Sequence, residues 1–123
     1  MQLTDQAALI TGGTSGIGLA CARLVADAGA DVIITGRDRR RGEAAAAQLG
    51  PRVRFVQADL SDLDSVKSLV QQVGDVDILV NNAATFPGAL TVKQDVESFE
   101  KTFNTNVRGV YFLVAGLAPG MLD

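Results

Sequence analysis

Thr11-Gly12-Gly13-Thr14-Ser15-Gly16-Ile17-Gly18 is the stretch of sequence that decides the fold. The apolar run of residues 7–11 leads into it, and a helical pattern begins at about Gly16. Gly12 permits a tight turn off the strand, Gly16 lets backbone N–H groups approach a pyrophosphate, and Gly18 lets the helix pack closely on the sheet. A glycine-rich turn without a ligand is the simpler interpretation, but the strand–loop–helix context argues against it. The stretch therefore predicts a strand, a phosphate-binding loop and a helix whose N-terminus favours an anion.

The rest of the chain alternates short apolar runs with helical patterns. Strands are predicted at 7–11, 31–35, 53–57 and 77–81. Helices are predicted at about 16–28 and 39–49, from after Ser61 to a stop at Gly74, and at about 96–118. Ile17, Ala20, Leu24 and Ala28 are predicted to share one face of the first helix. Right-handed crossovers and a return past the first strand give one α/β domain over residues 1–123. This domain is a Rossmann-like parallel sheet of strand order 3-2-1-4 with helices on both faces, and its ligand cleft lies between strands one and four.

Composition excludes several classes of function. The net charge of −3 argues against a nucleic-acid partner, and the longest apolar stretch, residues 109–122, is shorter than the ~20 residues of a membrane-spanning helix. Cys21 is the single cysteine, so no internal disulfide is expected and a cytoplasmic location fits best. The chain has no histidine, which excludes histidine bases and most zinc or iron sites. No metal site is predicted.

Four motifs together resemble one known family. The Thr-Gly-x-x-x-Gly-x-Gly spacing of residues 11–18 is similar to the coenzyme loop of the short-chain dehydrogenase/reductase (SDR) family. Further matches follow in the family's order: Asp59-Leu60 after the third strand, Asn81-Asn82-Ala83 at the end of the fourth, and Asn106-Val107-x-Gly109 in the long helix. The resemblance covers nearly the whole chain. It implies a nicotinamide dinucleotide as partner and hydride transfer to or from a carbonyl or alcohol carbon of a small molecule.

The resemblance also implies which residues would bind the coenzyme. The adenine amino group would meet Asp59 beside Leu60, although an Asp here could equally cap the next helix. The adenosine ribose and the cleft floor would meet Asn82, Ala83 and Ala84, which the residues alone would make turn residues; the family usually has Gly at position 84. The phosphate loop would contribute Gly12, Thr14, Ser15, Gly16, Ile17 and Gly18.

Asn106 is the one catalytic residue that the resemblance transfers. Asparagine has a poor propensity for the middle of a helix, so its side chain needs another use. The residue type alone favours a hydrogen bond to a neighbouring helix or strand. In the family, the matching Asn helps to hold a water in a proton relay with Ser, Tyr and Lys.

The end of the second strand indicates the choice of coenzyme. NAD-preferring folds place an acidic residue there to bind the ribose 2′-hydroxyl, whereas this chain has Gly36 followed by Arg37. A guanidinium suits a 2′-phosphate, and the arginines at 39–41 oppose the helix dipole unless an anion is near. A solvated basic turn, partly offset by Asp38, is the alternative. We predict NADP(H) in preference to NAD(H).

The family's catalytic Ser and Tyr-x-x-x-Lys pair are missing from this sequence. Tyr111 is the sole tyrosine and Ala115 stands four positions later. The chain is therefore interpreted as an incomplete family domain that is inactive alone, with a non-catalytic nucleotide-binding module or a self-assembling half-fold as alternatives. The apolar stripe of the fourth helix, residues 96–118, predicts a homo-oligomer through that helix. The stripe consists of Phe99, Phe103, Val107, Tyr111, Val114 and Leu117.

Overall fold

Four parallel strands form one sheet in residues 2–85 and 91–122, which are the residues that the computed structural model describes. The strands are β1 (Ala7–Thr11), β2 (Asp31–Gly36), β3 (Val53–Gln57) and β4 (Ile78–Val80). The helices are α1 (Gly16–Asp27), α2 (Arg39–Leu49), α3 (Leu63–Val73), α4 (Val96–Phe103) and α5 (Val110–Met121). The spatial order β3-β2-β1-β4 confirms the predicted topology.

The central strand, β1, is buried on both faces. Leu9 pairs in register with Ile33 of β2 and Leu79 of β4. Its neighbour Ile10 points to the opposite face, and both side chains are fully buried, in two separate apolar clusters. A parallel sheet covered on both faces requires such continuous apolar strands.

The two apolar clusters correspond to the two helical layers. One contains Ala22 of α1 with Ala45 of α2, and the other contains Leu69 of α3 with Leu113 of α5. The first two helices therefore cover one face and the later helices the other, as predicted from right-handed crossovers.

The predicted apolar face of α1 is wrong. Ile17 and Leu24 are 82% and 72% exposed, whereas Gly18 and Ala22 face the sheet. A Cβ atom at Gly18 would collide with the carbonyl oxygen of Gly12. The close approach of α1 to the sheet leaves room only for small side chains at Gly18 and Ala22, while Leu19 and Val25 pack at the edge of the core and Ile17 and Leu24 lie outside.

The long fourth helix is divided into three parts. A π-helical segment, Asn104–Gly109, here called π1, joins α4 to α5. Most of the predicted apolar stripe is exposed, from 68% at Tyr111 to 40% at Val114, but Leu117 is buried and only 4% exposed. Leu117 packs with Leu113 against α3. The predicted stripe therefore consists of an exposed part and of one residue, Leu117, that belongs to the core.

No helix in the described ranges is both long and apolar enough to cross a membrane. The same residues contain no group of three acidic, cysteine or histidine side chains placed to hold a metal ion.

Candidate functional site

A cleft of about 720 Å³ lies at the carboxyl ends of β1, β2 and β4. This is the edge at which parallel α/β sheets bind ligands. The predicted residues that line the cleft are Gly12, Thr14, Ser15, Arg37, Asp59, Leu60, Asn82, Ala83 and Ala84. Four other predicted residues, Gly16, Ile17, Gly18 and Asn106, lie outside its lining.

The other lining residues were not among the predicted coenzyme-binding residues. They are Thr35, Gly36, Asp38, Arg41, Ala58, Thr85 and Thr105. Two of them carried a usable signal, because Thr35 is at the carboxyl end of a predicted strand and Thr105 precedes Asn106. Gly36 and Arg41 belong to the segment from which the coenzyme preference was predicted, and Asp38, Ala58 and Thr85 reach the cleft only through the three-dimensional fold.

Glycine geometry forms one wall of the cleft. Gly12 has φ +67°, and a Cβ there would lie 2.9 Å from Nδ2 of Asn82. Gly16 has φ +56° and no atom within 4 Å of its Cβ position. Gly12 is therefore required by both conformation and contact, whereas Gly16 is required by conformation and leaves open space in front of the loop.

Thr11 connects the end of β1 to the chain after β4. Its Oγ1 accepts hydrogen bonds from the backbone N–H groups of Asn82, at 3.1 Å, and Ala83, at 3.0 Å. The side chain of Asn82 donates in turn to the carbonyl oxygen of Gly12 at 3.2 Å. These bonds fix the distance between the glycine wall and the segment that follows β4.

Asn106 holds the backbone of Thr85 from π1. Its Nδ2 donates to the carbonyl oxygen of Thr85 and its Oδ1 accepts from the N–H of Thr85, each at 2.8 Å. The side chain of Asn106 therefore forms the kind of hydrogen bond that its residue type predicts, but its partner lies in a segment after β4 without regular secondary structure rather than in a helix or strand.

Asp59 is held as a carboxylate beside the cleft. Partial burial opposes its ionisation, but Ser61 donates to Oδ1 from Oγ at 2.7 Å and from its backbone N–H at 3.0 Å. The positive charges of Arg37 and Lys101 add to these bonds, and together they lower the pKa of Asp59 below its ordinary value. The alternative of a helix cap is wrong, because Asp62 is the N-cap of α3.

The arginines after β2 have different surroundings. Arg39 donates to the side chain of Gln57 at 3.1 Å, and Gln57 donates to the carbonyl oxygen of Arg37 at 3.0 Å. The side chain of Asp38 caps α2 by accepting from the backbone N–H of Arg41. Across residues 2–85 and 91–122, neither Arg37 nor Arg41 forms an ion pair with a carboxylate.

Two threonines beside the cleft have buried hydroxyl groups with no hydrogen-bond partner in the described part of the chain. Thr35 is 2% exposed and Thr105 is 9% exposed, and neither Oγ1 has a hydrogen-bond partner within the described residues. Buried polar atoms normally have partners. Both residues line the cleft, although their hydroxyl oxygens are themselves buried.

Comparison with known proteins identifies the family. A family model described as short chain dehydrogenase matches residues 6–123, so this chain belongs to the short chain dehydrogenase family. The galactitol 2-dehydrogenase of Agrobacterium fabrum is 39% identical over 126 residues, which cover 99% of this chain and 49% of that protein.

Solved structures show the same relationship. A short chain dehydrogenase/reductase family protein is 63% identical with a TM-score of 0.96, over 99% of this chain and 52% of the other. The L-sorbose reductase of Gluconobacter frateurii, solved with NADPH and L-sorbose, is 35% identical with a TM-score of 0.92, over 98% and 49% of the two chains. The chain thus spans about half the length of the relatives it matches.

Proposed function

We propose that this chain binds NADP(H) in the cleft. It would form the coenzyme-binding part of an oxidoreductase that transfers hydride between the nicotinamide and a carbonyl or alcohol carbon. The observation that carries the proposal is the end of β2, where this chain has Gly36 rather than an acidic residue and where Arg37 and Arg41 line the cleft without a direct ion pair among the described residues. The reported complex of the L-sorbose reductase with NADPH supports the same class of coenzyme.

The phosphate groups fit the glycine wall. The open space at Gly16 admits a pyrophosphate close to the backbone, and the N-terminus of α1 supplies free N–H donors. Ser15, the N-cap of α1, makes no capping hydrogen bond with its side chain, so its hydroxyl is also available. We assign Thr14, Ile17 and Gly18 to the same phosphate-binding element.

The 2′-phosphate would lie between Arg37 and Arg41. Their guanidinium groups supply planar, charged donors suited to a phosphate. Arg39 is engaged by Gln57, and Asp38 is engaged as the cap of α2, so neither competes for this position. The sequence did not distinguish Arg41 from Arg39 and Arg40 as a partner of the phosphate. We assign this role to Arg41 because it is the one of the three that lines the cleft.

The adenosine would occupy the region between Asp59 and Asn82. The ionised Asp59 accepts from an adenine amino group, and Leu60 provides an apolar contact for the ring. Asn82, Ala83 and Ala84 would line the ribose and the floor of the cleft. The bound coenzyme would supply the hydride.

Asn106 would act through the backbone in a proton relay. One N–H and one lone pair of its side-chain amide are engaged with Thr85, so we assign the water to its backbone carbonyl oxygen. The family's Tyr-x-x-x-Lys pair does not occur in this sequence. We therefore expect the 123-residue chain alone to bind coenzyme without turnover, because general acid–base catalysis contributes ~10²–10⁴-fold.

Calorimetric titration of NADP⁺ and NAD⁺ tests the coenzyme proposal. The wild type should prefer NADP⁺, and Arg37→Asp should lower its affinity for NADP⁺ about tenfold or more, since the variant replaces a charged donor with a repelling carboxylate. Arg40→Asp is the control, because it makes the same charge change at an arginine outside the cleft lining. Equal wild-type affinities for the two coenzymes would contradict the proposal.

Self-association through the predicted fourth helix, which comprises α4, π1 and most of α5, is a second proposal. It rests on the exposure of Phe99, Phe103, Val107, Tyr111 and Val114, which together exceed the scattered apolar side chains usual on a surface. In sedimentation experiments Phe103→Asp should dissociate the oligomer. Leu24→Asp, at an exposed apolar residue of α1, should leave it intact. A wild-type monomer at high micromolar concentration would rule out this assembly.

We propose that this chain has neither a nucleic-acid partner nor a membrane partner, and that it is located in the cytoplasm. The net charge is −3, and Cys21 is a half-buried free thiol that suits a reducing compartment.

A further inference from the structure

Arg108, at the end of π1, is bonded to the loop between β3 and α3. Its Nη2 donates to the carbonyl oxygen of Ser61 at 2.7 Å. Ser61 in turn donates twice to Oδ1 of Asp59, from its Oγ and from its backbone N–H. A continuous series of hydrogen bonds therefore runs from the guanidinium of Arg108 to the carboxylate that lines the cleft.

Close packing supports the same connection. A Cβ atom at Gly109 would collide with the carbonyl oxygen of Leu60. This contact presses the end of π1 against the loop of residues 59–61 and leaves the neighbouring Arg108 within reach of Ser61. π1 thus adds one backbone contact and one charged hydrogen bond to the loop, which is also held from α3, where Oγ of Ser65 accepts from the backbone N–H of Asp59 at 2.8 Å.

Packing alone does not favour an arginine at this position. Nε of Arg108 is buried and has no hydrogen-bond partner among the described residues, and an unsatisfied buried donor is destabilising. An apolar side chain of similar length would fill the space without this cost. The bond to Ser61 is what the guanidinium adds.

We propose that Arg108 is a positioning residue for adenine recognition: it fixes Ser61, and through Ser61 it directs the carboxylate of Asp59 toward the 6-amino group. This inference rests on the proposed coenzyme function and on the contact proposed between Asp59 and adenine. It assigns to π1 a role at the adenine end of the cleft as well as beside Thr85.

The test compares NADP⁺ with its hypoxanthine analogue, in which a carbonyl oxygen replaces the 6-amino group. The wild type should bind the adenine form about 10- to 100-fold more tightly, the range expected for a hydrogen bond to a charged acceptor. Arg108→Met should reduce this preference to about threefold or less, because the carboxylate loses its fixed direction while the phosphate contacts stay. Simple loss of stability would weaken both dinucleotides equally and leave the ratio unchanged.

Arg54→Met is the matched control. Arg54 also donates from Nη2 to a backbone carbonyl, that of Gln72 at 3.3 Å, but in the described part of the chain Gln72 is not bonded to Asp59, whereas Ser61 is. The control should keep the wild-type preference. Arg108→Gln, whose neutral amide is too short to reach Ser61 in the same way, provides a second variant if Arg108→Met does not fold.

The outcomes distinguish the two proposals. If a folded Arg108 variant keeps the full preference for adenine, the positioning role is wrong and the coenzyme proposal stands. If the wild type binds NADP⁺ but shows no preference for adenine, the contact with Asp59 is wrong and the inference fails with it. If the wild type binds neither dinucleotide, the proposed function itself fails.

Discussion

The two walls of the cleft are built by different means. The glycine wall, residues 12–18, takes its shape from positive φ angles and from close backbone contacts within the segment and with its neighbours. The clamped wall, residues 81–85 with π1, is held by side-chain hydrogen bonds that span 21 to 72 residues of sequence. A ligand can therefore be surrounded by one wall that local sequence specifies and one that forms only after the sheet and helices assemble.

The largest expected effect comes from breaking the glycine wall. Gly18→Ala should lower the free energy of unfolding by about 3 kcal/mol, because the new methyl group collides with the backbone carbonyl of Gly12. Gly16→Ala is the control, with open space at its Cβ position and a cost of about 1 kcal/mol from its φ angle alone. Urea denaturation measures both. Equal losses would show that close approach is not what Gly18 provides.

The next effect comes from releasing the clamped wall. Thr11→Val should cost about 1–3 kcal/mol, because the N–H groups of Asn82 and Ala83 lose their acceptor. Thr35, its register partner on β2, is equally buried, but its hydroxyl has no partner within the described residues. Thr35→Val should therefore be neutral or stabilising in the same assay, and a comparable loss at both sites would contradict the clamp.

The sequence predicted the sheet better than it predicted the surroundings of the cleft. β1, β3 and α2 have the predicted bounds, because continuous apolar runs and Gly/Pro boundaries are local signals. Asn82 and Asn106 were recognised only through the family resemblance. Their partners, Gly12 and Thr85, could not be identified, since no local pattern records which distant backbone group a side chain meets.

The errors have a common physical origin. Helical spacing indicated a shared face for Ile17 and Leu24, but spacing does not show which face has room against the sheet. It likewise predicted one helix where π1 intervenes, and it joined the buried Leu117 to an exposed stripe. Tertiary packing decided each of these features.

The smallest expected effect concerns Asp59. Folding lowers its pKa below the unfolded value of 3.8, so the ionised group stabilises the fold above that pH, and this contribution disappears as the pH falls through the folded pKa. The contribution should be well under 1 kcal/mol, since the group is partly exposed to solvent. The stability difference between wild type and Asp59→Asn should shrink as the pH falls below about 3.8 in urea unfolding. A difference that is constant with pH would contradict the assigned ionisation.

The most direct test of the central claim is to map NADP⁺ binding on the amide spectrum of the ¹⁵N-labelled chain. The amide resonances of both walls and of the end of β2 should shift at the same NADP⁺ concentrations and reach saturation. Ser15, Ala83 and Arg37 are the residues that report on these three regions. The groove between α2 and β3, lined by residues that include Glu43 and Arg54, should not respond. Shifts confined to that groove, or to one wall of the cleft, would contradict a coenzyme site enclosed by both walls.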